Sequence, residues 1–268
     1  MNPRERANWF DTEGNLYTSP ADKPLHDSIV ALCVAQQDRV PLDAFAAGLH
    51  RTGIECRVTR EAGNGQGFRL TISRMEDIAR ELALELPFIR NQKRLDQICK
   101  FADFVRRERR VARQTSLRTF HIVSSLKLPC VANKRAMDPL DRANWFETEG
   151  CLSSGLDRAF AGAGAQFIVS QAESSPLQCF AAGCLSDGIV SRLYSRRTQN
   201  GIEHILRIRR LDDIALEVSK ELPYLRMEKS LSQVRSFINF IHLPRMRLSK
   251  SLELARSVLP LWAGSLVW

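Results

Sequence analysis

The sequence RANWFDTEG occupies residues 6–14, and it returns as RANWFETEG at residues 142–150. The two copies are identical except that Glu147 stands where the first copy has Asp11. We predict that each copy is a helix. Glycine takes the left-handed conformation that often ends a helix more easily than other residues, so the helices are predicted to stop at Gly14 and Gly150 with such a cap.

Two further blocks repeat in the same order. FAAG at residues 45–48 returns at residues 180–183, and DIARELALELPFIRNQK at residues 77–93 corresponds to DIALEVSKELPYLRMEK at residues 213–229. Ordered blocks that recur at one nearly constant spacing indicate a tandem duplication. The chain is therefore predicted to fold as two copies of one structural unit.

Both copies predict the same order of elements: a helix, two strands, a helix, a hairpin and two helices. The first two strands of each copy are predicted at residues 16–19, 28–36, 151–154 and 166–171. The hairpin strands are predicted at residues 54–61, 68–73, 189–196 and 204–209. Gly63-Asn64-Gly65 and Asn200-Gly201 are strong hairpin-turn signals. The predicted fold class is α+β, with tandem αββαββα repeats.

The charge balance indicates a polyanionic partner. The 268 residues include 39 Lys and Arg against 30 Asp and Glu, a net charge of +9, which most often points to nucleic acid. There is no apolar run of about 18 residues and no secretory signal, so we expect no membrane partner. The 7 cysteines form no CxxC pair, and neither they nor the 5 histidines cluster as zinc ligands do. Reduced thiols fit an intracellular protein, in the cytoplasm, with DNA or in an organelle.

The segment between the copies is strongly basic. Residues 106–135 hold nine basic side chains and one acidic one, Glu108. Binding along a phosphate backbone relieves the repulsion in such a stretch; an exposed helix end followed by a flexible tether is the alternative. The predicted organisation is a first repeat, a basic linker, a second repeat and a C-terminal extension that has no counterpart in the first repeat and only a packing role, at residues 1–105, 106–136, 137–241 and 242–268.

Alternation along the hairpin strands gives each sheet an apolar and a polar face. The polar faces are rich in Arg, and the guanidinium group pairs well with guanine and with phosphate. Such faces suit the reading of base edges in a DNA groove, although an ordinary solvated face is the alternative interpretation. The candidate DNA-binding residues are Tyr17, Ser19, Arg57, Thr59, Arg69, Thr71, Arg192, Tyr194, Arg196, Arg207 and Arg209.

Acidic residues end both motif helices. Glu13 and Glu149 lie where the helix dipole is already negative, and Asp11 and Glu147 add charge nearby. If the copies pair about a pseudo-twofold axis, the acids converge and require cations. Carboxylate and carbonyl oxygens favour Mg²⁺, and metal ions held over a polyanion indicate phosphodiester hydrolysis. Ordinary exposed helix-end glutamates are the alternative, which the repetition of the acid disfavours.

The two copies, each followed by a strand, resemble the nine-residue motif of the LAGLIDADG homing endonucleases, in their single-chain, two-repeat form. The resemblance covers residues 2 to about 241. It implies a pseudo-twofold pair of antiparallel sheets that form a saddle on duplex DNA, with the motif helices at their interface. The glycine usual at the third motif position is Asn8 and Asn144 here, and a hydrogen bond across the helix interface is a substitute for close contact. Core positions are expected for Trp9, Phe10, Trp145 and Phe146.

The resemblance also implies roles at matching positions. The penultimate motif acid and the following carbonyl hold metal, a glutamine ending the second strand orders water, and a basic residue after an LPxL segment lies near the scissile phosphate. LPFIRNQK and LPYLRMEK place Lys93 and Lys229 after the matching segments, with Arg90 and Arg226 nearby. The implied catalytic residues are Glu13, Gln36, Lys93, Glu149, Gln171 and Lys229. The implied metal ligands are Glu13, Gly14, Glu149 and Gly150, with two or more Mg²⁺ ions between the motif helices and DNA.

The implied activity is a double-strand cut across the minor groove of a long, asymmetric double-stranded DNA site, made by a monomer. The chain begins with Met1 and shows no splice-junction nucleophile, so we expect an intron-encoded protein rather than an intein. Two alternatives stay open: an RNA maturase that binds intron RNA, and a DNA-binding regulator that uses the same fold. Retention of both motif acids favours cleavage.

Overall fold

A computed structural model describes residues 1–18, 30–61, 67–111, 116–155, 164–199, 201–243 and 249–260, with side chains omitted at residues 108–111. The chain divides into two compact units, Met1–Asn133 and Lys134–Trp268. In the described residues, none of the helices combines the length and apolar character needed to cross a membrane.

The first unit is built around one antiparallel sheet. Its elements are α1 (Pro3–Glu13), β1 (Gly14–Tyr17), β2 (Ala31–Gln36), α2 (Arg39–Arg51), β3 (Arg57–Arg60), β4 (Phe68–Ile72), α3 (Met75–Glu85), a 3₁₀ turn (Leu86–Phe88), α4 (Gln92–Val111) and α5 (Leu117–Ser125). The strand order is β1-β2-β4-β3, so the long connection through α2 places the hairpin beside β2.

The second unit repeats this plan. Its elements are α6 (Pro139–Glu149), β5 (Gly150–Gly155), β6 (Gly164–Gln171), α7 (Ser174–Ser186), β7 (Arg192–Thr198), β8 (Gly201–Ile208), α8 (Leu211–Glu221), a 3₁₀ turn (Leu222–Tyr224), α9 (Glu228–Ile241) and α10 (Lys250–Val258). The strand order β5-β6-β8-β7 matches the first sheet. The α+β class and the order of elements predicted from the repeat are confirmed, with strand ends that differ by a few residues.

The motif helices start as their sequences dictate. Asn2 caps α1 in a capping box with Glu5, and Asp138 caps α6, each followed by a proline in the first turn. The helix ends differ from prediction. Gly14 has φ −78° and Gly150 has φ −95°, which is ordinary extended backbone.

Glycine ends both motif helices because a side chain at either position would collide with a neighbouring ring, and not because the backbone is left-handed there. A Cβ at Gly14 would lie 2.1 Å from the Phe10 ring, and one at Gly150 would lie 2.3 Å from the Phe146 ring. Left-handed glycines occur instead after α2 and α7, at Gly53 and Gly188, with φ values of 69° and 77°. The chain therefore passes directly from each motif helix into the first strand of its sheet.

The aromatic residues of the motif belong to the cores of their own units. Trp9, Phe10 and Trp145 are fully buried, and Phe146 stacks on Phe167 of β6 with ring centroids 4.7 Å apart. This confirms their predicted packing role. Because these rings fix the rotation of each motif helix on its sheet, the polar residues between them are also held in defined positions.

A buried ion pair joins each motif helix to the helix that follows the hairpin. Arg6 donates to both oxygens of Glu81, at 2.5 and 2.9 Å, and Arg142 donates to Glu217 at 2.6 and 3.1 Å. All four side chains are at most 1% exposed. Such bidentate Arg–carboxylate pairs fix geometry as well as charge, so they lock the start of the motif helix.

The last described helix of each unit packs on the corresponding pair of helices. Helix α5 packs on α3 and α4, and α10 packs on α8 and α9. Val123 of α5 and Leu252 of α10 are fully buried. The prediction that the C-terminal extension has no counterpart in the first repeat is therefore wrong, because α5, which lies in the predicted basic linker, is that counterpart. Its sequence gives no sign of the equivalence.

Candidate functional site

The motif acid meets the predicted glutamine in both units. Glu13 is the last residue of α1 and Gln36 is the last residue of β2; Gln36 Nε2 donates to Glu13 Oε1 at 3.5 Å. In the second unit Gln171 Nε2 donates to Glu149 Oε1 at 3.0 Å. All four side chains are partly exposed. Each unit thus presents one carboxylate, oriented by an amide, at the C-terminal end of a helix.

The neighbouring motif acids have a different position from the one predicted. Asp11 is fully buried and accepts the backbone N–H groups of Arg90 and Asn91, at 2.7 and 3.3 Å. Glu147 accepts the corresponding N–H groups of Arg226 and Met227. These acids therefore do not add to an exposed anionic cluster. They fasten the segments that precede α4 and α9 to the motif helices.

Burial dominates the chemistry of Asp11. It raises the pKa of Asp11 to about 7, although the two backbone hydrogen bonds and the charges of Arg90 and Arg94 act in the opposite direction. Asn8, at the position that departs from the motif of the homing endonucleases, accepts from Arg90 Nη1 at 3.2 Å, and Asn144 Nδ2 donates to the Leu140 carbonyl at 2.8 Å.

The predicted lysines follow directly on these anchored segments. Lys93 is the second residue of α4 and Lys229 is the second residue of α9, and both are exposed. The anchoring by Asp11 and Glu147 thus links the position of each lysine to the helix that carries the motif acid. Each ammonium group is thus carried by a helix start that a buried acid holds in place.

The outer face of the first sheet carries part of the predicted DNA-binding set. Arg57 lies opposite Thr71 and Thr59 lies opposite Arg69 across the hairpin. Arg69 forms an ion pair of 2.5 Å with Glu61. Tyr17 is on the edge strand β1 and is 46% exposed, whereas Ser19 lies outside the described residues.

The outer face of the second sheet is more basic. Arg192 lies opposite Arg207, and the guanidinium carbon of Arg207 is 5.0 Å from the centre of the Tyr194 ring. These residues line a cavity of about 620 Å³ that also receives Arg209, which is exposed just beyond the end of β8. Arg196 pairs with Glu203 at 2.5 Å. Cation–π contact restricts the Arg207 fork, which is a favourable arrangement for a specific base contact.

Sequence reasoning missed several buried or half-buried residues that fix the motif helices and β1. Arg94 donates to the carbonyls of Phe10 and Thr12 at the end of α1, at 3.1 and 3.2 Å. Gln97 donates to Asn15 of β1 at 2.8 Å. The repeat could have identified the acids Glu81 and Glu217, because both fall in the repeated block at equivalent positions. The repeat could not have identified Arg94, because Ser230 replaces it in the second copy.

The donor set fits a hard divalent cation that is shared with a phosphate. Within the described ranges, no three His, Cys, Asp or Glu side chains come together as a complete metal site. Each unit offers the carboxylate of Glu13 or Glu149, with backbone carbonyls at the same helix end. Mg²⁺ is commonly held in this way, by one or two carboxylates with substrate phosphates and water completing its shell.

The fold is that of the single-chain LAGLIDADG meganucleases, which confirms at the level of fold the resemblance drawn from the motif. The chain is similar to I-AabMI bound to uncleaved DNA, with 16% identity, a TM-score of 0.65, and coverage of 97% of this chain and 98% of that one. It is similar to I-SmaMI bound to cleaved DNA, with 14% identity, a TM-score of 0.64 and coverage of 96% and 95%. It is also similar to I-GzeII in complex with a DNA target, with 12% identity, a TM-score of 0.62 and coverage of 96% of this chain and 97% of that one.

No protein-family model matches the sequence, and no curated protein sequence matches it. The structural similarity extends over nearly the full length of both chains at low identity.

Proposed function

We propose that the chain is a LAGLIDADG homing endonuclease that cuts both strands of a specific DNA site by Mg²⁺-assisted hydrolysis. One observation carries the proposal: the hydrogen-bonded acid and glutamine recur at the same place in both units, as Glu13 with Gln36 and as Glu149 with Gln171. A protein that only binds DNA has no need for two such pairs. Each acid is proposed to serve one strand.

The side chains of each unit have distinct proposed tasks. Glu13 and Glu149, with the carbonyls of Gly14 and Gly150, would hold Mg²⁺, which when bound lowers the pKa of water and stabilises the leaving oxygen. The glutamines fix the carboxylate and orient water through their amide groups. Lys93 and Lys229 would place a positive charge near the scissile phosphate, where negative charge develops.

The two sheet faces are proposed to read two different half-sites across one long target. At the same register the first sheet offers Arg57 with Thr71, and the second offers Arg192 with Arg207. Arg forks pair with guanine in the major groove. Because the faces differ, the proposed target is asymmetric, and one chain suffices for both halves. Encoding within an intron stays a prediction, which the sequence that flanks the gene tests.

The decisive experiment is cleavage of a randomised duplex library in Mg²⁺, followed by recovery of the cut site. Wild type is expected to cut both strands of one sequence. Glu13→Gln and Glu149→Gln are each expected to leave a nick in the opposite strand, because each keeps one acid. Glu253→Gln, which removes an exposed acid from α10, is the matched control and is expected to cut as wild type does.

Binding without cleavage would refute the proposal. If wild type selects one duplex from the library but cuts neither strand in Mg²⁺ or Mn²⁺, the chain acts as a regulator. If it selects structured intron RNA and no duplex, it acts as a maturase. Cleavage that persists unchanged in the Glu13→Gln, Glu149→Gln double variant would place the chemistry elsewhere.

A further inference from the structure

The two acid sites differ in the charge of the segments next to them. Residues 90–94 read RNQKR, and the corresponding residues 226–230 read RMEKS. The first segment holds three basic residues, and the second holds two basic residues and one acidic residue, Glu228. Both segments are fastened in the same way, through Asp11 and through Glu147, so the difference is one of side chains on a common frame.

The extra cation of the first segment lies directly on the motif helix. Arg94 is 9% exposed, and its Nε is 3.1 Å from the Phe10 carbonyl and 3.3 Å from that of Asp11. Its Nη2 is 3.2 Å from the Thr12 carbonyl, one residue before Glu13. The amide of Asn91 adds a hydrogen bond to the Asp11 carbonyl at 3.2 Å. Two side chains therefore satisfy the last turn of α1.

The second unit has neither a guanidinium group nor an amide group at the two corresponding positions. Ser230 occupies the place of Arg94 and is 2% exposed, and Met227 occupies the place of Asn91. Ser230 carries no charge, and the thioether of Met227 is not a hydrogen-bond donor. The acid Glu228 is paired with Arg235 at 2.7 Å. The second unit therefore has a neutral side chain, Ser230, at the position from which the buried guanidinium group of Arg94 covers the end of α1.

This difference changes what each acid offers a cation. The C-terminus of a helix carries about half a negative charge on its last carbonyls. At Glu149 this charge adds to the carboxylate. At Glu13 the buried cation of Arg94 offsets it. A fixed charge at a helix end changes the binding of an ion there by about three- to thirtyfold.

We propose that Arg94 makes the two acid sites inequivalent, so that the Glu13 site binds a divalent cation more weakly than the Glu149 site. Arg94 is a positioning residue, since it acts through the end of α1. The inference rests on the proposed endonuclease function and adds an order of events to it. At limiting Mg²⁺ the strand served by Glu149 is cut first, and the intermediate is a duplex nicked in that strand.

The test measures cation binding separately from catalysis. In Glu149→Gln only the Glu13 site keeps its acid, and in Glu13→Gln only the Glu149 site keeps its acid. Each variant, bound to the selected target duplex, is titrated with Ca²⁺ in a calorimeter. The Kd of the Glu13 site is expected to be about three- to thirtyfold higher. This comparison keeps Arg94 intact, so it stands even if changes at Arg94 impair folding.

Three variants then assign the difference to Arg94. In the Glu149→Gln background, Arg94→Gln is expected to bring the Kd close to that of the other site, because it removes the charge and keeps a hydrogen-bond donor. Arg94→Lys keeps the charge and is expected to leave the Kd high. Lys100→Gln, at an exposed position two turns along the same helix, removes one charge far from the helix end and is the matched control.

A second readout follows the strands. With each strand labelled, wild type in limiting Mg²⁺ is expected to nick one strand first, and Arg94→Gln is expected to reduce that bias. Equal Kd values in the two single-acid variants, or an equal effect of Arg94→Gln and Lys100→Gln, would refute the inference and leave the proposed function intact. Failure of both sites to bind Ca²⁺ would refute the inference and also the proposed role of the acids.

Discussion

The buried cluster beneath the first motif helix contains more acid than Arg6 can balance. Glu81 pairs with Arg6, and Glu85 lies one turn further along α3, with both acids fully buried. Burial raises the pKa of Glu85 well above its ordinary value, and the charge of Glu81 raises it further while Arg6 lowers it. We therefore expect Glu85 to be protonated at neutral pH, so that the cluster is neutral overall.

This arrangement predicts a strongly non-additive pair of substitutions. In Glu81→Gln, Glu85 is expected to release its proton and balance Arg6, which limits the loss of unfolding free energy to about 1–2 kcal/mol. In the Glu81→Gln, Glu85→Gln double variant no acid is left, and a buried guanidinium group without a counter-charge costs about 3–5 kcal/mol. Glu85→Gln alone mimics the protonated acid and is expected to change stability by less than about 1 kcal/mol.

Urea unfolding of the full chain at pH 7.5, followed by tryptophan fluorescence, measures these differences as shifts in midpoint at constant slope. The second unit supplies the matched control. Arg142 has a further partner there, Asp187 at 2.7 Å. Glu217→Gln with Glu221→Gln is therefore expected to cost less than the double variant of the first unit. If Glu81→Gln alone costs as much as the double variant, Glu85 does not exchange its proton and the reasoning is wrong.

Three further predictions follow from the same contacts. Because burial raises the folded-state pKa of Asp11 to about 7 from 3.8, the folded protein holds this proton more tightly than the unfolded chain; the stability it contributes is fully present below about pH 4 and is lost, roughly 4 kcal/mol in all, as pH rises from 4 to 7. Urea midpoints at pH 5 and pH 8 check this, and Asp11→Asn is expected to remove that part of the pH dependence. Gly48→Ala places a Cβ 2.3 Å from the Met1 carbonyl and 2.9 Å from Arg6 Nη1, and is expected to lower the melting temperature more than Ala47→Gly at the exposed neighbour, which costs about 0.5–1 kcal/mol; equal shifts would contradict the tight contact. Arg207→Ala is expected to cost about 1–3 kcal/mol of discrimination at one base pair of the selected site, measured by competition between single-base variants, whereas Arg39→Ala, at an exposed α2 residue paired with Asp43, leaves discrimination unchanged.

The repeat made the architecture predictable. Two copies of one pattern fixed the order of helices and strands, and the turn signals located the hairpins. Gln36 and Gln171 were predicted at the ends of second strands, and they are the last residues of β2 and β6. These predictions succeeded because strand alternation and turn chemistry are local properties that the sequence carries directly.

Other features depend on contacts between distant segments. Asp11 lies two residues before Glu13, and nothing local distinguishes a ligand from a buried acid. The distinction arises because residues 90 and 91, about 80 positions later, bring backbone N–H groups to Asp11. The role of Gly14 was also misjudged, since a tight approach to the Phe10 ring leaves no mark in a sequence. Helix α5 was not predicted, because the basic residues around it indicated a linker.

The duplication separates residues that serve the fold from residues for which the fold gives no explanation. Arg6 and Arg142 are identical in the two copies and are buried, so the demands of packing explain why they match. The sheet faces and the position of Arg94 differ between the copies, so the common fold does not require them. Glu13 and Glu149 fall in neither group: they are identical, yet partly exposed, and their glutamine partners are partly exposed as well. Folding gives no reason for this match, whereas the proposed reaction, carried out once by each unit, gives one.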